Sequence, residues 1–363
     1  MCTRIFNNFN NSFLTTARNM DWATQMATTI FAFKIDNDQP MVKSGTSIRN
    51  EKTLVWTAQY DSIVTMIESK VTTDNSKEKE ETIFGASDGI NSVGLVANLL
   101  YDSNATYHRS NGSSCKNLDV LRWVQFVLDT CCSVEEVVNK FNKDASVQIQ
   151  LIGGKVPGSE SEASLHLAIS DVLGDSAIIE VNQGQFRIYQ NEKFRVMTNE
   201  PSYARQIELN QFWEWQWSNQ NNFPSNTLPG GPFPSDRFAR ASYYLNHLYE
   251  PVSISDSLTQ SKSVVMNASV PVNFNSKLKK HPNIAQTLWT TVASHNELTY
   301  YFCNARTIGN IWMDLNQMEL FPSSVSQLIV VNENQDLTFE NKSLYGFQNE
   351  NFKETSDPFS INL

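Results

Sequence analysis

Cys2-Thr3-Arg4-Ile5-Phe6 and, a few residues on, Arg18-Asn19-Met20-Asp21-Trp22 are the stretches on which the reading of this chain turns. Cysteine stands directly behind the initiator, and its side chain is small enough for Met1 to be removed by ordinary processing. Cys2 then carries a thiol and a free α-amino group on one residue. A thiol attacks as its thiolate, and an unperturbed pKa of about 8.5 leaves only a few per cent ionised near neutrality. An α-amino group titrates at about 7.7 to 8.0, so it can act as general base where a lysine amine cannot. Holding base and nucleophile together also removes the entropy of recruiting a separate histidine. Arg18 and Asp21 supply the basic and acidic groups such a nucleophile needs nearby. The same two residues could equally form a surface ion pair across a turn, contributing about 0 to 1 kcal/mol.

Composition narrows the alternatives. With 28 basic against 38 acidic residues, net charge −10 and pI about 5.1, the chain is a poor candidate for nucleic-acid binding, which draws its affinity from cationic contacts. The negative balance reads more simply as solubility. An apolar fraction of 40% over 363 residues allows a sizeable core. No stretch approaches the roughly 20 apolar residues of a membrane span, and the opening CTRIFNNFNNSF is too polar for a signal-peptide core. The expectation is a protein that is cytoplasmic as written, and periplasmic or secreted if a signal segment has been trimmed. Cys2, Cys115, Cys131, Cys132 and Cys303 are scattered and odd in number, without zinc-ligand spacing or a disulfide framework. They read as four buried thiols plus the terminal one.

Along the chain, strands are expected over 2–9, 28–35, 53–58, 63–68, 94–101, 165–170, 176–182, 185–190 and 195–198, with 18–22 near a turn. Helices are expected over 118–129, 134–141 and 236–248. Helices grouped between blocks of strands suggest sheets covered by helices, an α+β layering. The polar stretch 72–82, with KEKEE at its centre, reads as a charged insertion at a hairpin tip, and 218–235 as a long irregular loop inside one domain spanning 1–363. Trp213, Trp215 and Trp217 would share one face of a strand, either as a hydrophobic rim for a substrate or as packing at an interface or core edge. The five histidines show no HxxxH spacing, and His166 in an alternating strand reads as packed. Without a sequence-local base for a Cys-His arrangement, an α-amine base gains by elimination, while GxSxG and a complete phosphate loop are absent and nucleotide chemistry finds no support.

Four ordered segments sharpen this. They are Cys2-Thr3-Arg4 with Arg18-Asn19-Met20-Asp21-Trp22; Asp88-Gly89-Ile90-Asn91 with Gly94-Leu95 through Tyr101; Thr198-Asn199-Glu200-Pro201-Ser202-Tyr203; and Leu228-Pro229-Gly230-Gly231 through Arg237-Phe238. Together they resemble the choloylglycine hydrolase and penicillin V acylase family of N-terminal nucleophile hydrolases, most clearly up to about residue 245. The resemblance implies a four-layer αββα sandwich and hydrolysis of a linear carbon–nitrogen amide bond. It implies Cys2 as nucleophile through a thioester, Asp21 orienting the α-amine or thiol, and Arg18 favouring thiolate. It further implies Asn199 donating its side-chain N–H to the oxyanion, the Tyr101 backbone N–H as second donor, and Arg237 completing the polar cluster.

The resemblance implies no metal and no organic cofactor. Its expected partner is a small-molecule amide with a hydrophobic acyl group, faced by Tyr101 and Trp22, with neither nucleic acid nor membrane involved. A homo-oligomer, tetramer or dimer, is expected by analogy. Tyr101 is closer to the penicillin V acylases than to the bile salt hydrolases, and Ala97-Asn98-Leu99-Leu100 resembles a branch that also accepts long-chain acyl homoserine lactones. Conjugated bile salt hydrolysis is the alternative within enzymology. A catalytically silent binding protein is the alternative outside it.

Overall fold

The computed structural model describes residues 2–72, 80–107, 114–218, 227–274, 285–331 and 344–361. Two sheets carry the architecture. In sheet order, the first runs Val196–Met197, Cys2–Asn7, Thr15–Asp21, Thr287–Ser294, Thr299–Asn304, Ile311–Asp314 and Gly346–Phe347. The second runs Gln185–Gln190, Ser176–Asn182, Leu165–Ser170, Val96–Tyr101, Glu80–Asn91, Ser62–Thr72, Ala27–Lys34, Ser324–Val331 and Lys353–Thr355. Helices Pro234–Asn246 and Ile254–Asn267 pack on the first sheet, while Trp123–Thr130 and Val134–Phe141 pack on the second. The result is the expected αββα layering. Among the described residues, no helix is long and apolar enough to cross a membrane.

The layering explains why TTARNMD, the strand Thr15–Asp21, is polar yet wholly buried. Successive side chains point to opposite faces, and here both faces are covered. Thr16 and Arg18 turn inward, to Ser170 Oγ at 2.8 Å and Asp88 Oδ2 at 2.9 Å on the second sheet. Thr15 and Asn19 turn outward, to Ser261 Oγ at 2.7 Å and the Val265 carbonyl at 2.7 Å on a covering helix. Each of these four side chains therefore finds a partner instead of incurring a desolvation cost of about 1 to 3 kcal/mol. Cys2–Asn7 pairs antiparallel with this strand, placing Cys2 opposite Met20 and Arg4 opposite Arg18, so Cys2 also faces inward.

The Asp88-to-Leu95 segment ends one central strand of the second sheet and forms the turn into the next. Asn91 donates to the Leu128 and Cys131 carbonyls at 2.9 Å each, and its side-chain oxygen accepts the Leu95 N–H at 2.9 Å. Gly94 sits at φ +77°, and a Cβ there would lie 2.5 Å from the His295 carbonyl oxygen, so glycine meets both demands.

Several sequence expectations need correction. Residues 18–21 belong to a central strand, and Trp22 follows it just before the bend at 23–24, so the expected turn lies beyond these residues. The 118–129 segment begins as a strand, Lys116–Asp119, and turns helical only after Asp119 accepts the Leu121 N–H. Trp213, Trp215 and Trp217 lie on the helix Tyr203–Ser218, not on a strand. Alternation over five residues mimics a strand, but in a helix it separates the rings: Trp213 stacks on Trp217 one turn away, and Trp215 is half exposed beside Phe212. The thiols also differ from expectation. Cys2 and Cys131 are buried, Cys115, Cys132 and Cys303 are partly exposed, and all five are free. Burial pushes the Cys131 thiol up to about 12. The charged insertion lies on the hairpin Ser62–Thr72 to Glu80–Asn91, but its tip, 73–79, is outside the described residues. Of the loop 218–235, residues 219–226 are likewise outside them, and the described remainder runs irregularly into the helix at Pro234.

Candidate active site

The first residue of the first strand lies where both sheets and one covering helix meet. Cys2 is 2% exposed. Its backbone N–H donates to Asn199 Oδ1 at 2.7 Å, and its sulfur lies 3.8 Å from Arg18 Nη2 and 3.7 Å from Met20 Sδ. Arg18 sits on the sulfur side. Its guanidinium also donates to Ser87 Oγ and the Leu99 carbonyl at 2.9 Å each and pairs with Asp88. A cation so held stabilises a thiolate more than a thiol.

Arg237 and Asn199 occupy the backbone side. Arg237 lies in the first turn of Pro234–Asn246, where a cation opposes the helix dipole. Its contacts supply the compensating reason. It donates to the Cys2 carbonyl, to Thr3 Oγ1, to Asn199 Oδ1 at 2.8 Å and to the Pro232 carbonyl at 3.0 Å. Burial lowers its guanidinium from the ordinary value, and neighbouring Asp21 and Cys2 pull it back up. The preceding loop is shaped by Arg240, which donates to the Pro229 and Gly231 carbonyls at 2.7 and 2.8 Å.

Asp21 closes the cluster at the end of its strand, accepting from Thr287 Oγ1 at 2.6 Å and lying 4.0 Å from Arg237 Nη1. Burial raises its carboxyl, opposed by Arg237, by the Thr287 hydrogen bond and by Arg18. Arg18 and Asp21 are both fully buried, which rules out the surface ion pair that sequence alone left open.

One expected geometry differs. The Asn199 side-chain N–H donates to the Tyr101 carbonyl at 2.6 Å, while its oxygen accepts from Cys2 and Arg237. The amide orientation is fixed by these partners, so this donor must be shared or released to meet an oxyanion.

Beside Cys2 opens an apolar pocket lined by Met20, Trp22, Ile67, Leu121, Val156 and Leu165, with Gly85 and Ala86 in its wall. Trp22 and Tyr101 meet edge to face there at 5.5 Å. The five expected polar residues and the two aromatic ones thus converge on one place. Asp88, Ser87 and Thr287 join them without having been singled out. Asp88 stood in a recognised segment, but its pairing with Arg18 spans two sheets, and Thr287 reaches Asp21 across 266 residues of chain.

The family model described as linear amide C–N hydrolases, choloylglycine hydrolase family, matches residues 2–338. The chain is 31% identical to the penicillin V acylase of Pectobacterium atrosepticum, over 99% of this chain and 92% of that one. It is 22% identical to a bile salt hydrolase/transferase of Clostridium perfringens, over 59% of this chain and 68% of the relative. Among solved structures, the penicillin V acylase of Agrobacterium tumefaciens superposes with TM-score 0.79 at 30% identity, covering 99% of both chains. A conjugated bile acid hydrolase of Clostridium perfringens, at 19% identity, TM-score 0.69 and coverage of 90% of this chain and 96% of that one, shares the fold. A cysteine and its polar cluster beside an apolar pocket, together with these matches along nearly the whole chain, place the protein in the choloylglycine hydrolase family of linear amide C–N hydrolases.

Proposed function

We propose that the protein is an acylase that removes an aryl-bearing acyl group, of the phenoxyacetyl kind, from a linear amide, with Cys2 as nucleophile once Met1 has left. The observation carrying this reading is the convergence of Cys2, Arg18, Asp21, Asn199 and Arg237 beside an apolar pocket walled by Trp22 and Tyr101. An aromatic wall suits an aromatic acyl group by edge or offset contact.

The Cys2 α-amine takes the thiol proton as sulfur attacks the amide carbon. Arg18 favours the sulfur anion, and Asp21 with Arg237 orients the amine. Negative charge on the former carbonyl oxygen is met by the Asn199 side-chain N–H, released from Tyr101, and by the Tyr101 backbone N–H. One such preorganised donor contributes about 3 to 4 kcal/mol to lowering the barrier. The ammonium returns its proton to the leaving nitrogen, the amine departs, and a thioester remains. Water then attacks that carbonyl with the α-amine again as base, releasing the acid and restoring the thiol.

Specificity constants on penicillin V, glycocholate and a long-chain acyl homoserine lactone test the substrate class. Penicillin V should lead, and glycocholate as clear winner would overturn the preference in favour of bile salt hydrolysis. Intact mass of the resting protein should show Met1 absent. Retained Met1 with no turnover of any amide would instead support a silent binding protein.

A further inference from the structure

Behind the Asn199 segment lies a second cluster of titratable side chains that the amide chemistry does not use. His166 lies on the strand Leu165–Ser170, in register opposite Leu100, and Asp102 follows two residues beyond Leu100 on the same face. On its other side, the pairing of Leu167 with Ile179 brings Glu180 alongside His166. Asp102, His166 and Glu180 are 3%, 1% and 4% exposed, and their donor atoms lie within 4.8 Å of one another.

The hydrogen bonds around the cluster leave one feature unaccounted for. His166 Nε2 lies 2.9 Å from the Thr198 carbonyl, which can only accept, so this nitrogen carries a proton. Nδ1 then presents its lone pair inward in the neutral ring, and it has no hydrogen-bond partner among the described residues. Asp102 Oδ2 is 3.9 Å from it, beyond hydrogen-bond reach. The carboxylate oxygens are held in part from outside: Asp102 Oδ1 accepts from the Asn104 backbone at 3.0 Å and its side chain at 3.2 Å, Glu180 Oε1 from the Tyr203 backbone at 2.5 Å, and Glu180 Oε2 from the Tyr189 hydroxyl at a long 3.4 Å, a contact that a cation would displace. Among the described residues, no lysine or arginine forms an ion pair with either carboxylate. Buried carboxylates ordinarily neutralise, pair or coordinate a cation.

We propose that Asp102, His166 and Glu180 bind one divalent cation of the zinc class, through imidazole Nδ1 and one oxygen from each carboxylate. An imidazole with two carboxylates suits zinc or a similar first-row cation better than calcium, which prefers oxygen throughout. Bonds of about 2.0 to 2.2 Å require the donors to close by roughly an ångström, which rotation of the Asp102 and Glu180 side chains provides. The Nε2–H to Thr198 bond is the outer contact that fixes a ligating ring. The cation makes the set neutral and anchors the Thr198 carbonyl, one residue before Asn199. The site is structural and does not depend on the reaction assigned to Cys2.

The test is metal content and thermal stability of the untagged full-length protein. Chelator-treated wild type, re-equilibrated with Zn2+ and desalted, should retain one equivalent by mass spectrometry and melt several degrees higher, because a ligand binding only the folded state stabilises it. Glu180→Gln keeps an oxygen for the Tyr203 N–H but weakens the donor set, and His166→Ala removes the nitrogen. Both should lose the equivalent and the Zn2+-dependent melting shift. Wild type that retains no metal, or folded variants that retain a full equivalent, overturns the proposal. Should neither variant fold, zinc-edge absorption on wild type decides: a shell of nitrogen and oxygen supports the site, and sulfur ligation refutes it.

Discussion

Arg237 Nη2 and the Cys2 backbone N–H donate to the same atom, Asn199 Oδ1, at 2.8 and 2.7 Å. Two donors on the oxygen fix which way the amide nitrogen of Asn199 points. Arg237 therefore aims a donor it does not itself provide.

Replacing Arg237 by lysine keeps the charge but loses the planar fork that reaches Cys2, Thr3 and Asn199 together. With the oxyanion donor misaimed, kcat should fall by about a hundredfold to a thousandfold, the range for removing one such donor. Asn199→Ala should fall in the same range. Steady-state kinetics on penicillin V check both, and a variant within a few-fold of wild type would remove Asn199 from the oxyanion role.

Cys2→Ser should abolish amide turnover while the fold persists. The side chain is buried, but its sulfur makes only long contacts, to Met20 and Arg18, so the cost in stability is small. In wild type, rapid quenching during turnover should reveal a mass increase equal to the acyl group, confined by peptide mapping to Cys2. Adduct on Cys131 or Cys132 instead would displace Cys2 as nucleophile.

The legibility of these features in the sequence follows their range along the chain. The helix Val134–Phe141 is legible to its ends because its signals are local: Ser133 caps it by accepting from the Glu136 N–H, and apolar residues recur at helical spacing. The polar site residues are legible only through ordered segments shared with a family, since nothing within Thr15–Asp21 itself shows that Arg18 and Asp21 are buried on opposite faces of one strand. The Arg18–Asp88 pair joins strands of different sheets and exists only after the sheets stack. The Thr287–Asp21 bond joins neighbouring strands of one sheet that lie 266 residues apart in the chain. The tryptophan segment misled because a two-residue period over five residues carries too little pattern to outweigh a sixteen-residue helix.

His295 gives a pH prediction with a definite sign. Its Nδ1–H donates to the Gly94 carbonyl at 2.7 Å, and its Nε2 accepts from Thr16 Oγ1 at 2.8 Å, so the folded site holds the neutral ring. Burial lowers its pKa from 6.5 to about 3. Between those values the unfolded chain binds a proton that the folded chain does not, so stability rises with pH. The contribution is complete above about pH 6.5 and is lost as pH falls towards 3, amounting to a few kcal/mol. His295→Gln should be less stable at pH 7, yet its unfolding free energy should depend less on pH between 4 and 6.5. Parallel curves for the two proteins in urea titrations would contradict this.

Trp22 and Tyr101 make the substrate prediction. Trp22 is 3% exposed and fixed, its backbone N–H donating to the Gln286 carbonyl at 3.0 Å, whereas Tyr101 is only partly buried at the end of its strand. Tyr101 is therefore the wall an incoming acyl group meets, with Trp22 behind it. Truncation in Tyr101→Ala removes an aromatic contact of about 0.5 to 1.5 kcal/mol, so the specificity constant for penicillin V should drop by about twofold to tenfold. Because the contact is present in ground and transition states alike, the loss should fall on KM and leave kcat largely intact. An aliphatic acyl homoserine lactone, lacking a ring, should lose less. Deepening obstruction at the opposite wall separates the two effects. A Cβ at Gly85 would lie 3.1 Å from Leu121 and 3.4 Å from Ile67, so Gly85→Val should narrow the pocket and penalise the long acyl chain more than the short aryl one. Equal losses on both substrates in both variants would mean that the acyl group does not enter between these walls.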